Sequence, residues 1–281
     1  MILIADSGST KTLWRLIDDD KNIHQFHSLG MNPYFREEKE LQEELSNLYQ
    51  ADISKFGKIS EIHFYGAGVS NAANVEFVKN NIEKAFKAEN IFVEHDLLGA
   101  ARALCGKESG IACILGTGSN TCVYDGEKII KNVPSLGYIL GDEGSGAYIG
   151  KKFVNALLYD EMEEDLKKRF FKRFDLDKEK IIYQVYKQPL PNRFLASFSK
   201  FIYQNIKKPY LQDLIVECFD DFCKKQLMKY PEIKSHKVHF TGSVAFYYSD
   251  FLRKVLEKND IFVGNITENP IAGLTLYHLE N

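Results

Sequence analysis

Two short glycine-containing turns are the first candidates for chemistry in this sequence. Each follows an apolar stretch, and they occupy Asp6–Thr12 and Gly116–Cys122. Glycines and small hydroxyl residues let backbone N–H groups converge on phosphate oxygens, because no Cβ blocks the approach. Neither turn has the pattern of a P-loop, and neither leads into a helix as a dinucleotide-binding turn does. Either one alone is typical of an ordinary hairpin, but the pair at matching positions predicts two turns that hold one triphosphate across a cleft.

Two aspartates end apolar stretches beside these features. Asp6 comes directly before the first turn, where a carboxylate can bind Mg²⁺ through water while the metal bridges phosphates; its alternative role is to cap the turn. Asp96 precedes a Leu-Leu-Gly-Ala-Ala-Arg-Ala helix. There it is either an N-cap or a carboxylate that points into the cleft.

The segment Gly137–Gly150 is the densest in glycine, with five glycines in fourteen residues. Each glycine costs about 0.5–1 kcal/mol in a regular element, so we expect a ligand or another backbone to approach this segment closely. Asp142 and Glu143 lie within it and could also cap the helix that follows.

The order of predicted elements repeats along the chain, which suggests a duplicated α/β domain. Strand, turn and strand recur with Gly-Ser in register, and Ile62–Gly66 resembles Val238–Gly242. The predicted strands are Met1–Ala5, Lys11–Ile17, Ile23–Ser28, Ile59–Tyr65, Ile91–His95, Ile111–Leu115, Thr121–Asp125, Lys128–Asn132, Lys237–Thr241 and Ile261–Val263. The predicted helices include Glu37–Gln50, Asn74–Lys87, Leu97–Cys105, Val244–Glu257 and Pro270–Leu279.

Composition narrows the class of protein. A chain of 281 residues with 44% hydrophobic content is long enough for two domains. The net charge of -3 gives no excess that would attract nucleic acid or a membrane surface. Five cysteines without a C-x-x-C pair predict buried thiols rather than disulfides or zinc. With no leader and no apolar span expected, the prediction is a cytoplasmic protein with a small-molecule partner.

Several motifs together resemble the BadF/BadG/BcrA/BcrD ATPase family, and within it the N-acetylglucosamine kinase branch. They run in order through essentially the whole chain, and the block around Asp142 is the most specific. The motifs are Asp6-x-Gly-x-Thr-Lys, Asn32 in Gly-Met-Asn-Pro, Asp96 before Leu-Leu-Gly-Ala, Gly116-Thr-Gly-Ser-Asn, Gly141-Asp-Glu-Gly-Ser-Gly and Asn269-Pro-Ile-Ala-Gly-Leu.

The resemblance implies an α/β fold of the actin, sugar kinase and Hsp70 type: two ribonuclease-H-like domains around a nucleotide cleft. The N-terminal domain would comprise residues 1–108 and 270–281, because the last helix returns to it. The C-terminal domain would comprise residues 109–269.

The resemblance also implies ATP and Mg²⁺ as cofactors, and a role for each matching residue. Asp6 would position the metal. The phosphates and adenosine would contact Ser7, Gly8, Ser9, Thr10, Lys11, Thr117, Gly118, Ser119, Gly242 and Ser243. The sugar would contact Asn32, Asp96, Ser119, Asn120 and Asp142, with Asp96 as the general base.

The implied activity is transfer of phosphate from ATP to an amino sugar. N-acetylglucosamine is the first candidate acceptor, at its 6-hydroxyl, followed by N-acetylmuramic acid and glucosamine. A homodimer is the preferred oligomeric state.

Two alternatives stay open. The first is an ATPase activator of a 2-hydroxyacyl-CoA dehydratase, which would need cysteines at a subunit junction to share an iron–sulfur cluster. Cys113 and Cys122 flank the second turn, where burial is the simpler interpretation. The second is a sugar sensor that has lost catalysis, although a sensor needs neither Asp6 nor Asp96.

Overall fold

A computed structural model describes residues 1–280 and divides them into two compact units. Unit 1 comprises residues 1–108, 126–128 and 270–280, and unit 2 comprises residues 109–125 and 129–269. Each unit contains one five-stranded sheet.

The strands are β1 (Ile2–Ser7), β2 (Lys11–Ile17), β3 (Ile23–Leu29), β4 (Glu61–Gly66), β5 (Asn90–His95), β6 (Gly110–Leu115), β7 (Ser119–Tyr124), β8 (Ile129–Val133), β9 (Val238–Thr241) and β10 (Val263–Thr267). The α-helices are α1 (Glu38–Leu48), α2 (Ala72–Ala85), α3 (Asp96–Cys105), α4 (Gly137–Leu140), α5 (Gly146–Leu158), α6 (Glu164–Phe174), α7 (Lys178–Lys187), α8 (Pro191–Ala196), α9 (Ser199–Gln204), α10 (Pro209–Lys225), α11 (Ser243–Tyr247), α12 (Ser249–Lys258) and α13 (Ile271–Leu279). Short π- or 3₁₀-helical turns cover Tyr49–Ile53, Ser54–Phe56, Leu227–Lys229 and Pro231–Lys234.

The sheet of unit 1 has the strand order β3-β2-β1-β4-β5. The first three strands are antiparallel, and β4 and β5 run parallel to β1. The middle of β1, Leu3–Ala5, is fully buried, as expected of a central strand covered on both faces. The edge strand β3 alternates between exposed and partly buried residues instead.

The sheet of unit 2 repeats this arrangement, because its order β10-β9-β6-β7-β8 is the same when read from the other edge. The pairs β6–β7 and β7–β8 are antiparallel, and β9 and β10 run parallel to β6. The predicted α/β fold class and the repeated order of elements are thus confirmed. Each of the two glycine-containing turns predicted from the sequence connects the first two strands of its sheet in chain order.

The C-terminal helix α13 packs in unit 1, against α3 and one face of the sheet. Ile271 and Leu274 of α13 share a buried cluster with Ile4 and Tyr65. The approach to α3 is close, since a Cβ on Gly273 would lie 2.2 Å from a backbone carbonyl oxygen of α3. The opposite face of the sheet packs on α1 and α2 through a second cluster that includes Trp14.

Most predicted boundaries lie within two residues of those observed, but two predictions were wrong. The single helix expected over Val244–Glu257 is broken at Tyr248, whose buried hydroxyl donates to the carbonyl of Ser199 at 2.7 Å. The strand expected at Ile261–Val263 begins only at Val263, because Ile261 is buried in the core and donates its N–H to Leu256 at the end of α12.

The core of unit 2 is larger and rich in phenylalanine, and ring contacts connect Phe170 with Phe153, Phe198 and Phe201. Four of the five cysteines are buried, in agreement with the sequence prediction. Among the described residues, no helix has the length and apolar character needed to cross a membrane.

Candidate active site

Turn 1, residues 7–11, connects β1 to β2 and is held by a chain of hydroxyl groups. The hydroxyl of Thr12 donates to the carbonyl of Leu29 at 2.9 Å, so the Ser7 hydroxyl is the donor in its own 2.9 Å contact with Thr12. The N–H of Met31 donates to the Ser7 oxygen at 3.0 Å. The hydroxyl of Ser7 is therefore engaged inside the fold, where it supports the turn.

The other side of turn 1 is open. The N–H of Gly8 donates to the carbonyl of Lys11 at 3.0 Å and closes the turn. Within residues 1–280, the backbone N–H groups of Ser9 and Thr10 have no hydrogen-bond acceptor. Gly8, Thr10 and Lys11 are exposed. Two free N–H donors and an ammonium group on one exposed turn are suited to binding an anion.

Asn32 is tied to turn 1 although it follows β3. Its Nδ2 donates to the Ser9 hydroxyl at 3.1 Å, and its Oδ1 accepts the N–H of Tyr34 at 3.0 Å. The residue is 6% exposed, so the amide is fixed in orientation. One N–H and one lone pair of the amide remain for a ligand, as the recognition of a sugar hydroxyl requires.

Asp6 and Asp96 lie on or directly after strands of the same sheet, and their charges interact. Asp6 lies on β1, and Asp96 follows β5 as the first residue of α3. Burial and, to a smaller extent, the negative charge of Asp96 raise the pKa of Asp6 to about 7, although the positive charge of Lys11 opposes them. Two neighbouring carboxylates with incompletely balanced charge fit a hard divalent cation such as Mg²⁺. No cluster of three or more His, Cys, Asp or Glu side chains in the described chain is arranged to hold a metal, so phosphate and water oxygens would complete the coordination.

The N-cap of α3 is His95, and the alternative role of Asp96 as that cap is wrong. The Nδ1 of His95 accepts the N–H of Leu97 at 3.0 Å. The side chain of Asp96 is 26% exposed. Its carboxylate is therefore accessible and is not needed to cap the helix.

Turn 2, residues 116–118, connects β6 to β7 and is held by the N-terminus of α5. The N–H groups of Gly146 and Ala147 donate to the carbonyls of Gly116 and Thr117, at 2.8 and 3.0 Å. Across the part of the chain that the structure describes, the N–H groups of Thr117 and Gly118 have no acceptor. Turn 2 therefore offers two N–H donors, as turn 1 does, but it is supported by a helix.

Asp142 lies beside turn 2 with a left-handed backbone, at φ 57°. Such a conformation is uncommon outside glycine, and asparagine and aspartate tolerate it best. The side chain is 7% exposed, and its Oδ1 accepts the Ser119 N–H at 3.4 Å and the Ser135 hydroxyl at 3.3 Å. Burial raises the pKa of Asp142, and the two hydrogen bonds oppose that shift. The carboxylate is thus fixed in orientation next to turn 2.

The cap of α5 is neither Asp142 nor Glu143. The hydroxyl oxygen of Ser145 accepts the N–H of Tyr148 at 3.2 Å. The capping alternative for the two acidic residues is therefore wrong, and Asp142 has a position that helix formation does not explain.

Ser119 and Asn120 begin β7, directly after turn 2. Ser119 is 5% exposed, and its hydroxyl oxygen is buried without a partner among residues 1–280. Buried polar atoms are usually paired, so this hydroxyl is a candidate for contact with a ligand or water. The Oδ1 of Asn120 accepts the N–H of Thr121 and the Nδ2 of Asn132, each at 3.0 Å, which leaves its own amino group available.

Gly242 lies where β9 turns into α11, against the end of β6. Its φ is 117°, and a Cβ would lie 2.3 Å from the carbonyl oxygen of Leu115, so both the backbone and the space require glycine. Its N–H donates to Thr267 at 3.0 Å, and the adjacent Ser243 is exposed. This turn therefore lies next to the strand end from which turn 2 starts.

The sequence did not point to His95 or Ser135. Ser135 is seven residues before Asp142 on a segment without periodicity, and only the folded backbone brings its hydroxyl to that carboxylate. His95 directly precedes Asp96, so its closeness was a usable signal, but histidine is not among the preferred N-caps.

The profile of the BadF/BadG/BcrA/BcrD ATPase family matches residues 5–275. A candidate N-acetylglucosamine kinase from Porphyromonas gingivalis is 41% identical, with a TM-score of 0.92. The similarity covers 100% of this chain and 99% of that protein. No match was found among curated proteins.

More distant solved structures share the fold. A candidate N-acetylglucosamine kinase from Chromobacterium violaceum is 17% identical with a TM-score of 0.77, over 98% of both chains. A ROK family glucokinase from Streptomyces griseus, solved with glucose and AMPPNP, is 16% identical with a TM-score of 0.56. That similarity covers 98% of this chain and 97% of the glucokinase. The two-domain fold of sugar kinases expected from the sequence is thus confirmed.

Proposed function

Because the chain belongs to the BadF/BadG/BcrA/BcrD ATPase family, we propose that it is an ATP-dependent kinase that phosphorylates a hydroxyl of an amino sugar. N-acetylglucosamine is the leading acceptor, with the 6-hydroxyl as the favoured position. N-acetylmuramic acid and glucosamine follow in that order. The candidate N-acetylglucosamine kinase that is 41% identical supports this ranking.

The observation that carries the proposal is the interaction of Asp96 with Asp6 beside turn 1. Phosphoryl transfer needs little covalent help from the protein, and it depends on positioning, charge compensation and a base for the attacking hydroxyl. Unit 1 has two carboxylates at strand ends, a lysine and two free N–H donors in one region. The N–H donors and the lysine can position the phosphates and compensate their charge, and a carboxylate can accept the proton of the hydroxyl.

In the proposed reaction Asp96 is the general base. Its carboxylate accepts the proton of the sugar hydroxyl while the hydroxyl oxygen bonds to the γ-phosphorus of ATP. The bond from that phosphorus to the bridging oxygen of ADP breaks in the same step. Base catalysis of this kind contributes about 10²–10⁴ in rate.

The remaining groups bind and orient the two substrates. Turn 1 and turn 2 donate N–H groups to phosphate oxygens, and the Gly242–Ser243 turn contacts adenosine. The sugar hydroxyls bind the amide of Asn32 and the carboxylate of Asp142. Ser119 and Asn120 add contacts from the start of β7.

Asp6 would hold Mg²⁺ through water. When bound, the metal neutralises charge on the phosphate oxygens. The raised pKa of Asp6 fits this role, because a nearby cation would favour its charged form.

The test is ADP production by the purified protein with Mg-ATP, alone and with each of four sugars: N-acetylglucosamine, N-acetylmuramic acid, glucosamine and glucose. Strong stimulation by one amino sugar is expected and identifies the acceptor. Hydrolysis that no sugar stimulates would contradict the proposal.

ADP production, together with iron content and sugar binding, separates the alternatives. An activator of a 2-hydroxyacyl-CoA dehydratase would hydrolyse ATP without sugar and would contain iron, whereas Cys113 and Cys122 are fully buried here. A sensor would bind sugar without turnover.

A further inference from the structure

Asn120 and Asn132 are neighbours on adjacent strands of unit 2. The register of β7 and β8 places Asn132 opposite Cys122. Asn120 lies two residues before Cys122, so its side chain is on the same face of the sheet. The Nδ2 of Asn132 donates to the Oδ1 of Asn120 at 3.0 Å. The two side-chain amides are therefore in direct contact.

The backbone of Thr121 fixes the orientation of both amides. Its N–H can only donate, so the atom of Asn120 that it contacts at 3.0 Å must be the oxygen. Its carbonyl can only accept, so the atom of Asn132 that it contacts at 2.6 Å must be the nitrogen. Turning either amide over would bring two donors or two acceptors together.

This arrangement leaves Asn120 with donors only. Its Oδ1 has two lone pairs, and the Thr121 N–H and the Asn132 amino group occupy both. Its Nδ2 has no acceptor within residues 1–280, and the residue is partly exposed. Asn32 differs, because its amide keeps one N–H and one lone pair and so suits a hydroxyl. Asn120 instead suits an oxygen that only accepts.

The substituent on the sugar nitrogen is where the candidate acceptors differ in this respect. The carbonyl oxygen of an N-acyl group only accepts hydrogen bonds, whereas the ammonium group of glucosamine only donates them. Asn120 directly follows Ser119, whose N–H binds the carboxylate of Asp142 at 3.4 Å, so its donors lie beside the other proposed sugar contacts of unit 2.

We propose that Asn120, oriented by Asn132, binds the acyl carbonyl oxygen of an N-acyl amino sugar and thereby selects such sugars over those with a free amine. This inference rests on the proposed function and adds a residue that determines the acceptor. Asn120 contacts the substrate, and Asn132 is a positioning residue that acts through it.

The test uses Asn120→Asp, which keeps an oxygen for Thr121 and Asn132 but replaces the free amino group by a second oxygen. The ratio of kcat/KM for N-acetylglucosamine to kcat/KM for glucosamine should fall about 100-fold, because the acyl carbonyl then meets an acceptor while the ammonium gains one. A ratio within one variant cancels any change in ATP binding that the sugars share. Asn155→Asp makes the same change at an exposed position of α5 and should leave the ratio unchanged.

Asn132→Ala tests the orientation of Asn120. It frees a lone pair on Oδ1 and removes one of the two contacts that hold the amide. The KM for N-acetylglucosamine should rise about threefold to fivefold with kcat unchanged, since a binding contact is weakened in ground and transition states alike. In the Asn120→Asp background the same change should have no further effect on the ratio, because Asn132 acts through Asn120.

An unchanged ratio in Asn120→Asp would overturn the proposal. So would an equal fall of kcat/KM for N-acetylglucosamine, glucosamine and glucose, because Asn120 would then bind a group that all three share. Calorimetric titration with the same three sugars measures affinity without turnover. If no sugar is phosphorylated while Asn120→Asp still loses affinity for N-acetylglucosamine alone, the proposed function fails and the contact with the carbonyl stands.

Discussion

The two glycine turns occupy equivalent positions in their sheets but are supported differently. Turn 1 is held by side chains, namely the hydroxyls of Ser7 and Thr12 and the amide of Asn32. Turn 2 is held by backbone, because the first N–H groups of α5 bind its carbonyls. The same strand–turn–strand arrangement therefore leaves backbone N–H groups free in both units, although side chains hold turn 1 and a helix holds turn 2.

The difference extends to the acidic groups beside each turn. Turn 1 adjoins two interacting carboxylates, Asp6 and Asp96, whereas turn 2 adjoins the single buried carboxylate of Asp142. We infer that unit 1 carries the proton transfer and that unit 2 mainly binds substrates. Loss of the base carboxylate in unit 1 should therefore reduce kcat, and loss of the Asp142 carboxylate in unit 2 should raise KM.

The largest expected effect is that of Asp96→Asn, which removes the base and keeps its shape. We expect kcat to fall by about 10² or more while the sugar KM stays within a few fold. The matched variant Asp142→Asn should raise the sugar KM and leave kcat nearly unchanged. Steady-state kinetics of both variants distinguish these outcomes, and retained turnover in Asp96→Asn would remove Asp96 from the mechanism.

Acid should destabilise unit 1 through His278 of α13. Burial, together with the neighbouring His63 and Arg102, lowers the pKa of His278 to about 3. The folded state prefers the neutral ring, so this stability is complete above the unfolded pKa near 6.5 and is lost as the pH falls toward 3. Between pH 7 and pH 5 the loss is about 2 kcal/mol.

Urea unfolding at these two pH values measures that loss. The single tryptophan, Trp14, is buried in unit 1, so its fluorescence reports on this unit. In His278→Gln an amide oxygen can still accept the hydroxyl of Tyr65, which now contacts the ring at 2.9 Å. The variant should lose about 2 kcal/mol less than the wild type, and equal losses would rule out His278 as the acid-sensitive group.

Asn32→Ala tests the side-chain support of turn 1. We expect the sugar KM to rise about tenfold with little change in kcat, since an interaction present in both ground and transition states is lost. Ser9→Ala removes the hydroxyl that accepts from the amide and leaves the amide itself in place. If it raises the sugar KM as much as Asn32→Ala, the amide acts through the turn and not on the sugar.

The smallest effects should come from Gly8→Ala and Gly116→Ala. A methyl group fits at both sites, since its nearest neighbour would be 3.6 Å away at Gly8 and there is none within 4 Å at Gly116. Thermal stability should therefore stay equal or rise slightly. The KM for ATP should still rise several-fold, because the methyl group occupies space that a phosphate needs. An unchanged KM at one turn would show that its glycine does not approach the nucleotide.

The sequence was a good guide where local patterns decide the structure. Apolar runs followed by small residues identified both hairpins, since a strand and a tight turn depend on neighbours along the chain. It failed at Tyr248, where the helix is interrupted and the side chain bonds to a distant carbonyl at Ser199. It also missed the hydrogen bond from Ser135 to Asp142, because a contact between residues on an irregular segment produces no periodic pattern in the sequence. It missed the cap at His95, because the sequence does not show which of two adjacent residues caps the helix.

The return of α13 to unit 1 has a consequence for synthesis on the ribosome. Helix α3 covers part of the sheet face that contains Ile4 and Tyr65, but the cover can be completed only after residues 271–279 emerge. The chain of unit 2 is made in between, and at typical elongation rates that takes about 10–30 s. Unit 2 can therefore complete its core first, while nascent unit 1 waits with an apolar surface that a chaperone would bind.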